Sequence, residues 1–311
     1  MEDVEGVRRW WQELAGLVLP ADCGGCGSAR TMLCPQCRAA LGGAAPFRVR
    51  PVPEPPGLPA VHAAARYADE VRAVLLAHKE RGALALARPL GAALAGAVRA
   101  GMGEVGRGEG PPSPAGVLLV PVPSARAAVR ARGHDPARRI AFAAAGELRR
   151  AGVPARVAAV LRQRRAVADQ SGLDFRQRLD NLVGALTVAP GGARVLCGGP
   201  VVLVDDVVTT GASLAEAARA VRTAAAAERA GQGESERGQC GEEATGVLCG
   251  EGPTAVYVGS TREGREKLSG AEEGAVDGVP KRLMGGAGRA GDVLCAAVVA
   301  ASPDSLEINR N

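Results

Sequence analysis

The segment VVLVDDVVTTGAS, residues 201–213, constrains this chain more than any other. Its four apolar residues Val201–Val204 read as a strand buried on both faces, as in a parallel sheet. The strand delivers two carboxylates, Asp205 and Asp206, at its C-terminal end, where open α/β sheets bind their ligands. The short loop Thr209-Thr210-Gly211-Ala212-Ser213 then opens a helix over Leu214–Ala227. Small and hydroxyl-bearing residues there let N–H and O–H groups converge on one anion, and the helix N-terminus adds partial positive charge. Gly211 supplies the left-handed or close-approach backbone that such a cradle needs. The two acids cannot face the same anion; they suit the 2′- and 3′-hydroxyls of a ribose. Phosphate at the loop and diol at the acids describe a ribose 5-phosphate group. No G-x-x-x-x-G-K-[ST] occurs in the sequence, which argues against a P-loop NTPase. The G-x-G-x-x-G matches at Gly101–Gly106 and Gly286–Gly291 follow a helix and precede a strand, the wrong context for a dinucleotide site.

The rest of the chain reads as β/α around that segment. Strands are expected over Val61–Tyr67, Val117–Val122, Val157–Leu161 and Val293–Ala301. Helices are expected over Glu70–Lys79, Leu84–Arg99 and Pro136–Arg150, the last with proline in its first turn. Alternation of this kind implies a parallel sheet covered by helices on both faces. Only 2% of the residues are aromatic against 47% hydrophobic overall, so the core has to be built from Ala, Val and Leu. Residues 101–116 read as a Gly/Pro loop, and the Pro-rich stretch 46–60 as a linker. Residues 228–292 are rich in Gly, Glu, Arg and Ser and lack periodicity, and read as a disordered insertion in the last crossover. Cys240 and Cys249 within it have no metal-site spacing and read as free thiols. The domain plan is therefore an N-terminal module over 1–45, the linker, and an α/β domain over 61–311.

The first 45 residues carry a helical apolar stripe (Val4, Val7, Trp10, Trp11, Leu14, Leu17, Val18) and then Cys23-x-x-Cys26 and Cys34-x-x-Cys37. Two such knuckles can place four thiolates around one Zn²⁺, a closed and therefore structural site. Gly24, Gly25 and Gly27 give the knuckle its backbone freedom. The chain opens on Glu2, Asp3 and Glu5 rather than on a basic signal region, and no apolar run is long enough for a membrane span. The expectation is a cytoplasmic protein with reduced thiols. Net charge is +5, compatible with a phosphate-rich ligand. The arginines concentrate in two blocks: Arg126, Arg130, Arg132, Arg138 and Arg139 after the strand at Val117, and Arg162, Arg164, Arg165, Arg176 and Arg178 further on. As groups they suit a pyrophosphate. Lys79, Arg126 and Arg132 are the candidates to face it, and sequence does not choose among them.

Residues 201–213 resemble the phosphoribosyl-pyrophosphate loop of type I phosphoribosyltransferases. With the four cysteines, the Tyr67…Lys79 region, Pro121-Val122-Pro123…Arg132-Gly133, Gln170…Arg178…Asn181 and the tail 301–311, the chain resembles the ComF family of competence-related phosphoribosyltransferase-like proteins. The resemblance implies a type I phosphoribosyltransferase fold (a parallel sheet with flanking helices) behind a small zinc-ribbon-like module. It implies phosphoribosyl pyrophosphate or a nucleotide as ligand, with Mg²⁺. The ribose 5-phosphate would be held by Asp205, Asp206, Thr209, Thr210, Gly211, Ala212 and Ser213. It also implies a link to DNA uptake, with single-stranded DNA and a competence helicase-type protein as partners. Transferase activity and a non-catalytic adaptor role both stay open. Where the family commonly has Phe-Asn-Gln after Arg-Gly, this chain has His134-Asp135-Pro136. Purine-salvage enzymes of the superfamily have Asp where this chain has Thr209, which disfavours hypoxanthine or guanine as acceptor.

Overall fold

The computed structural model describes residues 22–106, 116–165, 181–242 and 292–303. The apolar stripe over 4–18, Gln170, Arg176, Arg178, residues 243–291 and the tail from 304 lie outside the described residues. Two compact units divide the chain, Met1–Ala230 with Gly286–Asn311, and Gly231–Gly285. The fold below is that of the first.

It is an α/β fold on a six-stranded, mostly parallel sheet. The strands are β1 (Phe47–Val49), β2 (Val61–Arg66), β3 (Val117–Pro121), β4 (Ala155–Val157), β7 (Val201–Val208) and β8 (Val293–Ala301), in the order β1-β2-β8-β7-β3-β4. Only the β1–β2 pair is antiparallel. Two further strands, β5 (Leu161–Gln163) and β6 (Leu186–Val188), form a separate antiparallel pair. β7 and β8 are buried along nearly their whole described length and carry only small or branched apolar residues around the acids, as strands covered on both faces must.

Helices α1 (Pro35–Gly42), α2 (Asp69–Glu80), α3 (Ala87–Gly106) and α5 (Pro136–Arg150) contribute Leu41, Val74, Leu90, Leu94, Ile140 and Leu148 to one apolar cluster. The other cluster includes Leu196 of α6 (Gly192–Leu196) and Leu214, Ala218 and Val221 of α7 (Ala212–Glu242). Small residues allow close packing: a Cβ on Gly91 of α3 would lie 2.4 Å from the Ala143 methyl of α5.

Several expectations are corrected. The Pro-rich stretch contains β1, and it does so at the sheet edge, where flanking prolines such as Pro46 and Pro51 remove no ladder bond. Residues 101–106 continue α3 instead of forming loop. Gly101 is required there, because a Cβ would come within 2.7 Å of Cys295 Sγ and 3.0 Å of His62 Nδ1. The single strand expected over Val157–Leu161 is two short strands on either side of Ala158–Val160. α7 runs fifteen residues past Ala227, so the stretch beginning at 228 starts as helix. The four-cysteine segment is not a separate body: Cys23, Leu33, Cys34 and Cys37 share their apolar cluster with Val74, Leu86 and Leu90.

Candidate functional site

β3 and β7 are neighbours, yet their chains leave in opposite directions. From β3 the chain goes outward to β4, and from β7 it goes to β8 on the other side. That divergence is the topological switch point of the sheet, beyond whose strand ends open α/β sheets bind ligands. The ladder shows where β3 and β7 part. On the β3 side β7 is paired only as far as Val204 opposite Pro121, with the Val122 N–H donating to the Val204 carbonyl. On the β8 side pairing continues to Val208 opposite Ala301. Asp205 and Asp206 therefore lie within a longer strand than expected, but on the part that β3 has already left.

Asp206 is buried, and its Oδ2 accepts from Lys79 Nζ at 2.8 Å. Its Oδ1 accepts from the Val207 N–H, and Asp205 Oδ1 from the Asp206 N–H, both at 2.8 Å. Asp205 is half-buried. Desolvation, and then the charge of Asp206, hold its carboxyl well above the ordinary carboxylate range, with Lys79 pulling the other way. Burial draws the Lys79 ammonium down, but Asp206 and Asp205 outweigh it and the net shift is upward.

Beyond the acids, Thr209 is exposed, Thr210 and Ser213 half-exposed, and Gly211 and Ala212 buried. Gly211 has φ +76°, the left-handed conformation expected of it, and a Cβ there would meet Leu58 Cδ2 at 3.0 Å. The helix begins at Ala212, which places Ala212 and Ser213 in its first turn; the Ala212 N–H points to Thr210 Oγ1 at 3.4 Å.

Of the cationic candidates, Lys79 is at the acids. Arg132, the last residue of α4 (Arg126–Arg132), donates to Glu80 Oε2 at 2.8 Å, beside Lys79 in sequence. Arg126 is exposed at the start of α4. Arg165 is turned to local structure and donates to the Asn181 and Val183 carbonyls. Asp135 and Pro136 serve the helix that follows them. Asp135 caps α5 by accepting from the Arg138 N–H at 3.2 Å, and Pro136 is in the first turn.

One pair, a buried Glu216 with an exposed Arg219, escapes sequence reasoning. Glu216 is 6% exposed, one turn past Ser213. It accepts the Leu186 N–H at 3.0 Å, while Arg219, paired to it at 2.7 Å, donates to the Leu186 carbonyl at 3.0 Å. The i,i+3 spacing of Glu216 and Arg219 among alanines is the available signal.

The four cysteines come together as expected. Their sulfurs all lie within 4.8 Å of one another, Cys26 Sγ and Cys34 Sγ at 3.6 Å. A tetrahedral Zn²⁺ with Zn–S of about 2.3 Å needs S–S separations of roughly 3.8 Å, so the residues fit such an ion. Gly25 has room for no side chain, since a Cβ would stand 2.6 Å from Cys37 Sγ, and Gly27 has φ +79°. Burial alone would raise the Cys23 thiol, but N–H groups of Cys34, Cys26 and Gly25 outweigh it and bring it to about 6. Burial and three neighbouring sulfurs push Cys37 up. The set could hold a metal ion such as zinc. Among the described residues no helix is long and apolar enough to cross a membrane.

No protein-family model matches the chain, and no curated protein matches it.

The raised carboxyl of Asp205 has a measurable consequence. An acid harder to ionise folded than unfolded contributes stability below the ordinary Asp pKa, near 3.9, and that contribution is lost as pH rises through the raised folded value. Asn keeps an oxygen for the Asp206 N–H and carries no charge. Asp205→Asn is therefore expected to melt higher than wild type at pH 8, with the gain shrinking toward pH 4. Thermal melts across that range check it; a variant equal to or below wild type at pH 8 contradicts it.

Proposed function

We propose that the chain is a phosphoribosyltransferase-like protein that binds phosphoribosyl pyrophosphate, or a nucleoside 5′-phosphate, in the crevice beyond β3 and β7. The observation that carries this is the pairing of Asp205-Asp206 with the Gly211 turn and the α7 N-terminus at the switch point of the sheet. The acids take the ribose diol, and the backbone and hydroxyls of Thr209–Ser213 take the 5-phosphate. Lys79, paired to Asp206, and Arg132, paired to the adjacent Glu80, are the candidates to face the pyrophosphate. Mg²⁺ prefers carboxylate oxygens together with substrate phosphates, and Asp205 and Asp206 supply such oxygens. When bound, it would offset charge on the pyrophosphate leaving group. The fold in this reading is that of the type I phosphoribosyltransferases, and the four cysteines hold one structural zinc.

The resemblance to ComF proteins adds the context of DNA uptake, with single-stranded DNA and a helicase-type protein as partners. Arg126, Arg130, Arg138, Arg139, Arg162 and Arg164 are all exposed, which suits such a role. Calorimetry with phosphoribosyl pyrophosphate and Mg²⁺, alongside pyrophosphate release across a panel of nucleobases, tests the proposal. Binding with release is the expected result for a transferase. Binding without release for any base identifies the adaptor. No binding of phosphoribosyl pyrophosphate or nucleotide overturns both.

A further inference from the structure

Both oxygens of Asp206 are already engaged. Oδ1 accepts the Val207 N–H, and Oδ2 holds Lys79 Nζ at 2.8 Å. A divalent cation approaching the acidic pair meets a full positive charge at contact distance from the oxygen it needs. Lys79 is not free to drift far from that place. Its helix is pinned by Val74, Leu75, Ala77 and His78, all buried, and only about a third of its side chain is exposed. The next residue repeats the arrangement: Glu80 holds Arg132 at 2.8 Å. Adjacent residues at the end of α2 are thus each ion-paired to another element, Lys79 to Asp206 of β7 and Glu80 to Arg132 of α4.

Resting on the ribose-phosphate reading of this site, we propose that Lys79 is an internal counter-cation. It keeps free divalent metal off Asp206 until a phosphorylated ligand draws its ammonium away, so that metal enters only together with that ligand. A pyrophosphate offers Lys79 and Arg132 oxygens in exchange for Asp206 and Glu80. The carboxylate released by Lys79 then faces the metal that the ligand itself carries. No bond is made or broken in this exchange; one set of ion pairs replaces another.

The test uses the full-length, zinc-loaded protein with Mn²⁺ as probe and no phosphorylated ligand, counting free Mn²⁺ by electron paramagnetic resonance. Lys79→Met is expected to bind Mn²⁺ about tenfold or more tightly than wild type. Adding Asp206→Asn to it should abolish the gain. Lys79→Gln should reproduce the gain should the methionine variant fold poorly, and Lys79→Arg, which keeps the cation, should stay at the wild-type value. Equal Mn²⁺ affinity in wild type, Lys79→Met and Lys79→Gln overturns the proposal. So does a gain that persists after Asp206→Asn. If the Asp variants still lose phosphoribosyl pyrophosphate while Lys79 variants gain no Mn²⁺, only the counter-cation fails. If wild type binds no phosphoribosyl pyrophosphate or nucleotide, the ribose-phosphate reading fails first.

Discussion

Replacing Cys34 and Cys37 by serine is expected to take bound zinc from one per chain to none and to lower stability by more than about 4 kcal/mol. The size follows from where the cysteines are. Cys23, Cys34 and Cys37 are buried in one cluster with Val74, Leu86 and Leu90, so a metal held there would tie the ends of a segment that is part of the main core. Loss of such an ion would remove the link between the two knuckles and free the segment that seats α1 on α2 and α3. Metal analysis and thermal melts check the result together. Folded protein without zinc, melting where wild type does, would show that the cluster holds no structural ion.

The second large effect is expected at the acids. Asp205→Asn with Asp206→Asn should weaken phosphoribosyl pyrophosphate binding roughly a hundredfold or more, because each charged hydrogen bond contributes on the order of 1.5–3 kcal/mol. Asn keeps the shape of each side chain and an acceptor for the Asp206 and Val207 N–H groups, so the fold should survive. Calorimetry on the two proteins decides it, and unchanged affinity would mean that the acids do not touch the ribose.

The parts of this site that can be read in the sequence are the local ones. Strand, acids, glycine turn and helix start lie within thirteen consecutive residues, and each leaves a mark in residue type: branched apolar, carboxylate, Gly, small hydroxyl. The cysteine knuckles are legible for the same reason. Contacts between distant segments are not. Lys79 and Asp206 are 127 positions apart, and no spacing rule links them; three candidate cations look alike until the sheet brings one of them to the acids. Glu80 with Arg132 is the same case. The end of β7 is hidden because two acids look like a stop signal. The β8 ladder carries the strand past them on one side, which depends on a partner strand far along the chain. The helical character of 101–106 is masked by its glycines, of which Gly101 marks a close helix–strand approach and not a loop.

The position of β8 bears on how the chain comes to be folded at all. This strand lies in the interior of the sheet, hydrogen-bonded to β2 on one side and β7 on the other, although it follows every other described strand in sequence. A nascent chain leaving the ribosome therefore presents β2 and β7 as two unpaired apolar edges with an empty slot between them. It cannot close the sheet until Val293–Ala301 emerges. Edges of that kind recruit foreign strands, so the interval between the synthesis of β7 and of β8 leaves the chain open to mispairing.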